Sequence, residues 1–296
     1  MTFSPPLAEI LAALRVADGP DGRVLDDLPV AEVLREAGRL AAEVLAPLNR
    51  VGDRDGTTLR DGAVATAPGW QAAYRHFAEG GWTAVSADEA HGGLGLPVMI
   101  EMAVQELWNA GNAAFAVGPM LTVGAIEAIA AHGTPAQKAL YLPKLASGAW
   151  TGTMNLTESQ AGSDLALLRT RAERAGDGTY RIAGQKIFIT YGDHDLAENI
   201  VHLVLARLPD APAGTGGISL FLVPKFLPDG DGSPGRRNAV SVAGIEHKLG
   251  LHGSPTCTMA YDGATGFLLG EENRGLACMF TMMNLARLSV GIQGVG

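Results

Sequence analysis

The hydrophobic period of this chain changes twice, and those two changes limit what it can fold into. Through about Gly148 the apolar residues recur at helical spacing. Val30, Val33, Leu34, Ala37, Leu40, Ala41, Val44, Leu45 and Leu48 mark an amphipathic helix, because i, i+3, i+4 repeats place side chains on one helical face. Asn49 to Pro68, rich in Gly, Asp, Arg and Thr, reads as a loop. Trp70 to Phe77 reads as a short helix stopped by Gly80-Gly81, and Pro97 opens a helix to about Ala110. Another runs from Phe115 to His132, and Thr134-Pro135 caps a last one toward Lys144.

From Trp150 the period shortens. Thr151–Thr157, Tyr180–Thr190, Ile200–Arg207, Gly217–Pro224, Ala239–Val242 and Thr256–Tyr261 are short, β-branched or aromatic, and bounded by Gly, Pro, Asn or Asp. They predict a closed or nearly closed antiparallel barrel. Asp229–Asn238 reads as a mobile loop inserted in it. Helical spacing returns in Leu276–Val290. That helix would expose Leu276, Phe280, Met283 and the stem of Arg287, so either a partner covers this face or the chain is part of a longer protein. The fold class is thus α and β in sequence: a helical bundle over 1–149, a barrel over 150–270 and the start of a further helical unit over 271–296.

Composition excludes several functions. A formal net charge of −9 and 47% hydrophobic residues give a sizeable core and no large basic surface for nucleic acid. The only two cysteines, Cys257 and Cys278, form no C-x-x-C pair, which suits a reducing cytoplasm. The N-terminus lacks a signal-peptide layout, and no apolar run is expected to span a membrane. Gly93-Leu-Gly-Leu-Pro97 lacks the third glycine and preceding strand of a dinucleotide fingerprint and reads as a helix-capping loop. Asp193-His194-Asp195 and His202 follow no metal-ligand spacing and read as solvated loop, as do His247 and His252; no metal site is expected.

Chemistry concentrates in Trp150–Thr190, where strands ending in hydroxyls flank the turn Glu158-Ser-Gln-Ala-Gly-Ser-Asp164. Such a frame can hold a flat polar ring and an attached phosphate, with Gly162 allowing close backbone approach to an anion. Taken alone, the turn is a polar loop, alternation buries Phe188 as core, and Thr190 ends a strand.

Four ordered motifs reverse those readings. Thr157-Glu-x-x-Ala-Gly-Ser-Asp164, Gly184-Gln-Lys-x-x-Ile-Thr190, Lys248-Leu-Gly-x-x-Gly-Ser-Pro-Thr256 and Leu269-Gly-Glu-Glu-Asn-x-Gly275 together resemble the acyl-CoA dehydrogenases. Pro47–Asp53 and Ala67–Tyr74 resemble the branch of 3-methylmercaptopropionyl-CoA dehydrogenase-like members. The resemblance implies a helical N-terminal domain, a middle β-barrel and a C-terminal helical domain of which only the first helix is present. It implies FAD lying along Met154 to Ser163, with Leu156 and Thr157 at its pyrimidine edge and Gly162 and Ser163 near its diphosphate. Phe188 and Ile189 would lie by the ring system, and the Thr190 hydroxyl near flavin N5. Ser163, Asn284 and Arg287 would meet the acyl-CoA substrate, Asn284 standing where the family has aspartate. The catalytic glutamate is implied either at the position of Ala286, which closes that option, or beyond Gly296. Glu158 is read as structural. The implied partners are an acyl-CoA, an electron-transfer flavoprotein and, for the complete protein, further copies in a homodimer or homotetramer. A non-catalytic flavin- or CoA-binding chain and an acyl-CoA oxidase stay open as alternatives.

Overall fold

The computed structural model describes residues 3–19, 25–26 and 28–296. The helical part comprises α1 (Leu7–Asp18), α2 (Val30–Leu40), α3 (Ala46–Asp55), α4 (Trp70–Glu79), α5 (Val98–His132) and α6 (Pro135–Ala146). Helix α1 has no counterpart in the sequence reading. The amphipathic helix is longer than its spacing suggested: a π-helical turn, Ala41–Leu45, joins α2 to α3 without a break. The segment expected to be loop therefore begins as helix and then forms a hairpin of β1 (Thr58–Arg60) and β2 (Ala63–Ala65).

Helix α5 is interrupted at Asn112, whose φ of −161° and ψ of 87° leave the helical region. The two helices expected on either side of this point thus form one bent rod. Asn112 occupies the break productively. Its Oδ1 accepts from the Phe115 amide at 3.1 Å, and its Nδ2 donates to the Leu45 carbonyl at 3.2 Å. A Cβ at neighbouring Gly111 would lie 3.0 Å from the Ala41 carbonyl oxygen. The π turn and the break therefore face each other. Helix α6 starts on a capping box in which Thr134 and Gln137 satisfy each other's backbone amides.

The β-rich part holds β3 (Trp150–Asn155), β4 (Arg171–Arg174), β5 (Tyr180–Thr190), β6 (Asn199–Arg207), β7 (Ile218–Pro224), β8 (Phe226–Pro228), β9 (Pro234–Arg237), β10 (Val240–Ile245) and β11 (Thr256–Leu269). Strands β11, β5, β4, β6 and β7 follow one another in a ring, since β7 pairs with both β6 and β11. The barrel is not wholly antiparallel as expected. Strand β3 pairs parallel to β6 over six residues, and β4 meets β6 parallel at Arg171 and Arg207. The cause is topological: a long excursion separates β3 from β6, long enough to return the chain in the same direction. Nor is the insert irregular loop, because β8 and β9 form a hairpin.

Three apolar cores result: one within the helices, one inside the barrel and one between α5, α6, β3, β6, β7 and α7 (Gly275–Gln293). Both α5 and α7 are long and apolar enough to cross a membrane, which corrects the expectation that no segment is. The apolar window of α5 is 78% buried within the fold and that of α7 28%, so α5 is a core helix by packing. The α7 face is covered in part: Leu276 and Met283 pack on the core, while Phe280 stays 38% exposed.

Glycine makes the contact between helices and barrel tight. The Trp70 indole lies between Gly52 and Gly253, where added Cβ atoms would sit 2.7 and 2.5 Å from the ring. One residue earlier, His252 places its ring nitrogens 3.0 Å from the Asp53 carbonyl and 2.9 Å from the Lys248 carbonyl. Two acceptors ask for two N–H donors, and those backbone bonds raise the His252 pKa. Gly253→Ala is expected to destabilise the fold by about 1–3 kcal/mol through overpacking, read from urea unfolding midpoints. A midpoint matching the wild type would show that Trp70 has room to move.

Candidate flavin face of the barrel

Part of the expected site comes together where the end of β3 meets the end of β5. At the end of β3 the chain carries Met154, Leu156 and Thr157 past the last turn of β5. Thr153 Oγ1 donates to the Thr190 carbonyl at 2.7 Å, and the Ile187 amide donates to the Thr157 carbonyl at 2.9 Å. These two bonds hold Met154–Thr157 beside Phe188–Thr190.

Behind this face lies a buried ion pair. Glu158 Oε1 accepts from the Lys186 ammonium at 2.8 Å, the Thr170 hydroxyl at 2.6 Å and the Thr170 amide at 3.0 Å. Its Oε2 accepts from the Arg169 amide at 2.8 Å and the Gln160 side chain at 2.6 Å. Lys186 also donates to the Leu156 carbonyl at 2.9 Å. Burial would raise the Glu158 pKa, but the Lys186 charge and this set of donors override it and hold the carboxyl at about 2. A carboxylate so saturated cannot serve as a base. Glu158 is structural, as its place in the motif implied, and Lys186 is the partner that the sequence reading left without a role.

The turn carried by Glu158 presents Gly162, Ser163 and Asp164 outward. A Cβ at Gly162 would meet nothing within 4 Å, so the protein's own packing does not require glycine there. Arg207 fixes the far side of the turn by donating to the carbonyls of Ala166 and Leu168 at 3.0 and 3.3 Å.

Phe188 is the most informative residue. Alternation alone would bury it, yet it is 58% exposed, with φ at 59°. The reason is a register shift: Ile189 faces Cys257 while Lys186 faces Met259, so β5 carries an extra residue at this point. The bulge turns Phe188 out and leaves Lys186 and Ile189 buried. A bulky residue in the left-handed region costs roughly 1–3 kcal/mol, and here the cost exposes a large apolar ring. The hydroxyls of Thr157, Ser163 and Thr190 form no hydrogen bond with other described residues. An outward aromatic ring, hydroxyls without partners among the described residues and an open glycine turn fit a flat, polar-edged group carrying phosphates.

Asn284 and Arg287 lie together on α7. Arg287 donates to Asn284 Oδ1 at 2.7 Å and stacks 5.2 Å over Phe280. Neither bonds to the barrel residues above.

Of the residues expected in solvated loop, Asp193, His194 and His202 are buried, whereas Asp195 and His247 are exposed. Asp193 pairs with Lys225 and accepts from the Val64 amide. His194 lies 3.0 Å from Thr151 Oγ1, and His202 is 3.4 Å from Asn155 Nδ2. Burial pushes His194 down to about 4 and His202 to about 3, so both are neutral. They sit on apolar strands and turns that long-range packing closes over, which their local sequence does not reveal.

The helical part and the barrel each match a domain of the same known family. The chain belongs to the acyl-CoA dehydrogenases: residues 31–149 match the family's N-terminal domain and residues 153–264 its middle domain. It is 48% identical over 302 aligned residues to 3-methylmercaptopropionyl-CoA dehydrogenase of Ruegeria pomeroyi, covering 100% of this chain and 51% of that one. It is 38% identical over 265 residues to a butyryl-CoA dehydrogenase of Syntrophomonas wolfei, covering 86% of this chain and 43% of that one. The fold superposes on butyryl-CoA dehydrogenase from Megasphaera elsdenii with a TM-score of 0.74 at 26% identity, over 91% of this chain and 66% of that one. The chain thus spans about half the length of the curated relatives it matches.

Proposed function

We propose that this chain supplies the cofactor-facing part of an FAD-dependent acyl-CoA dehydrogenase, which forms a trans α,β double bond in an acyl thioester. The observation that carries this reading is Phe188, turned outward by the β5 bulge near the hydroxyls of Thr157 and Thr190, which bond to no described residue. FAD, when bound, would supply the acceptor for the hydride leaving the substrate's β-carbon. Phe188 and Ile189 would support its ring system, and Met154, Leu156 and Thr157 would orient its pyrimidine edge. Gly162 and Ser163 would admit its diphosphate. Hydroxyl and amide donors fixed in advance stabilise the charge that develops during such a transfer. Asn284 and Arg287, with Ser163, would bind the CoA portion of the substrate. The proton at the α-carbon would go to a glutamate outside residues 1–296, because α7 contains no acidic residue and has Ala286 where a family member would carry one.

An electron-transfer flavoprotein is the proposed acceptor, and a homodimer or homotetramer the proposed assembly of the complete protein. The cytoplasm is the proposed location, supported by two free, buried cysteines, the Cys257 thiol being pushed up to about 12 by burial. The 48% identity to a 3-methylmercaptopropionyl-CoA dehydrogenase supports a short thioether acyl-CoA as first substrate to test. A second reading, a non-catalytic flavin- or CoA-binding chain, is favoured by the lack of any carboxylate on α7.

The test is anaerobic mixing of the full-length, FAD-loaded protein with a panel of acyl-CoAs. Bleaching of the flavin absorbance by at least one thioester is expected. A protein that holds FAD and is bleached by none would leave the non-catalytic reading standing.

A further inference from the structure

Ile189 and Thr190 are bracketed by left-handed residues, Phe188 at φ 59° and Tyr191 at φ 51°. The first conformation exposes a ring; the second buries one. The Tyr191 amide donates to the Pro255 carbonyl at 2.7 Å. Its hydroxyl donates to the Ala114 carbonyl at 2.8 Å, two residues past the break in α5. Its ring fills the space that Gly118 leaves open, where a Cβ would lie 2.9 Å from the ring. The end of β5 is therefore fastened to the helical part through one aromatic side chain.

We propose that Tyr191 is a positioning residue: by fastening β5 to the α5 break it fixes the direction of the Thr190 hydroxyl. This inference rests on the FAD reading for what that hydroxyl faces. Threonine is β-branched and stiff at χ1, so its hydroxyl direction follows its backbone. That backbone turns sharply at the next residue, into a conformation that a tyrosine leaves unless its surroundings hold it there. Three contacts do so: the Pro255 carbonyl, the Ala114 carbonyl and the cleft at Gly118. The Thr190 carbonyl is held by Thr153, and the Tyr191 contacts hold the other side of the turn.

The test uses the full-length, FAD-loaded protein and two variants that disturb the fastening differently. Tyr191→Phe removes only the hydroxyl, and Gly118→Ala keeps it while pressing on the ring. Both are expected to bind stoichiometric FAD and to change its visible circular dichroism. Both should slow flavin bleaching by a reactive acyl-CoA at least tenfold while KM moves less than twofold. In the cofactor-free protein, Tyr191→Phe should also speed amide hydrogen exchange at residues 190–192. Variants with lowered urea midpoints but wild-type dichroism and bleaching rates would reduce Tyr191 to a packing residue and overturn the proposal. A wild-type protein that binds no FAD, or that no thioester bleaches, would instead overturn the reading beneath it, and the proposal with it.

Discussion

Replacing Lys186 by methionine is expected to lower the unfolding free energy by about 3–5 kcal/mol at neutral pH, the largest stability effect of any single change near the site. The change leaves Glu158 buried with a charge and no counter-ion, and removing one partner of a buried pair costs about that much. The pH dependence separates this cause from lost packing. In the wild type the Glu158 pKa is held down at about 2, so the pair's contribution is complete above the ordinary carboxylate range. It fades as pH falls from that range and is gone below about 2. In Lys186→Met, burial raises the carboxyl's pKa instead, and acid protonates it within an otherwise intact fold. The deficit relative to wild type should therefore shrink as pH falls from 7 toward 4, as urea unfolding at several pH values would reveal. A deficit constant with pH would place the loss in packing.

Thr190→Val should have the largest effect on chemistry. Valine keeps the β-branched shape, and the hydroxyl it removes bonds to no described residue, so the unfolding midpoint should hardly move. Flavin bleaching in the full-length protein should slow by about 10²–10³, the usual loss of one preorganised donor, worth roughly 3 kcal/mol. Equal bleaching rates in the two proteins would remove Thr190 from the proposed mechanism.

What could be read from the sequence follows the range of the forces involved. Local signals were reliable. The Thr134 cap, the pairing edge Tyr180–Thr190 and the interruption near Asn112 each rest on residues within one turn or strand. The extension of α2 into α3 was hidden because Gly52, Asp53 and Asp55 are poor helix formers, while glycine at 52 answers to Trp70 far along the chain. The Phe188 reversal was hidden for a similar reason. An extra residue in β5 is visible only against the register of β11. Family motifs singled out positions without their geometry: they marked Phe188, and the bulge explains how it reaches the surface. Lys186 could have been found from sequence, since a lysine at an inward strand position needs an anion and Glu158 is the acid in the neighbouring motif.

The paired irregularities in the helical part, the π turn at Ala41–Leu45 and the break at Asn112, also bear on how this fold can be altered. Each is an offset in one helix that the other is shaped to receive, so together they act as a registration mark between two rods. An exchange of α2 and α3 with a relative whose helix lacks the offset would present Asn112 with a carbonyl at the wrong height. Exchanging α2, α3 and α5 together would keep the mark aligned. For chimaeras within this family, the heritable unit in the helical part is that helix set rather than any one helix.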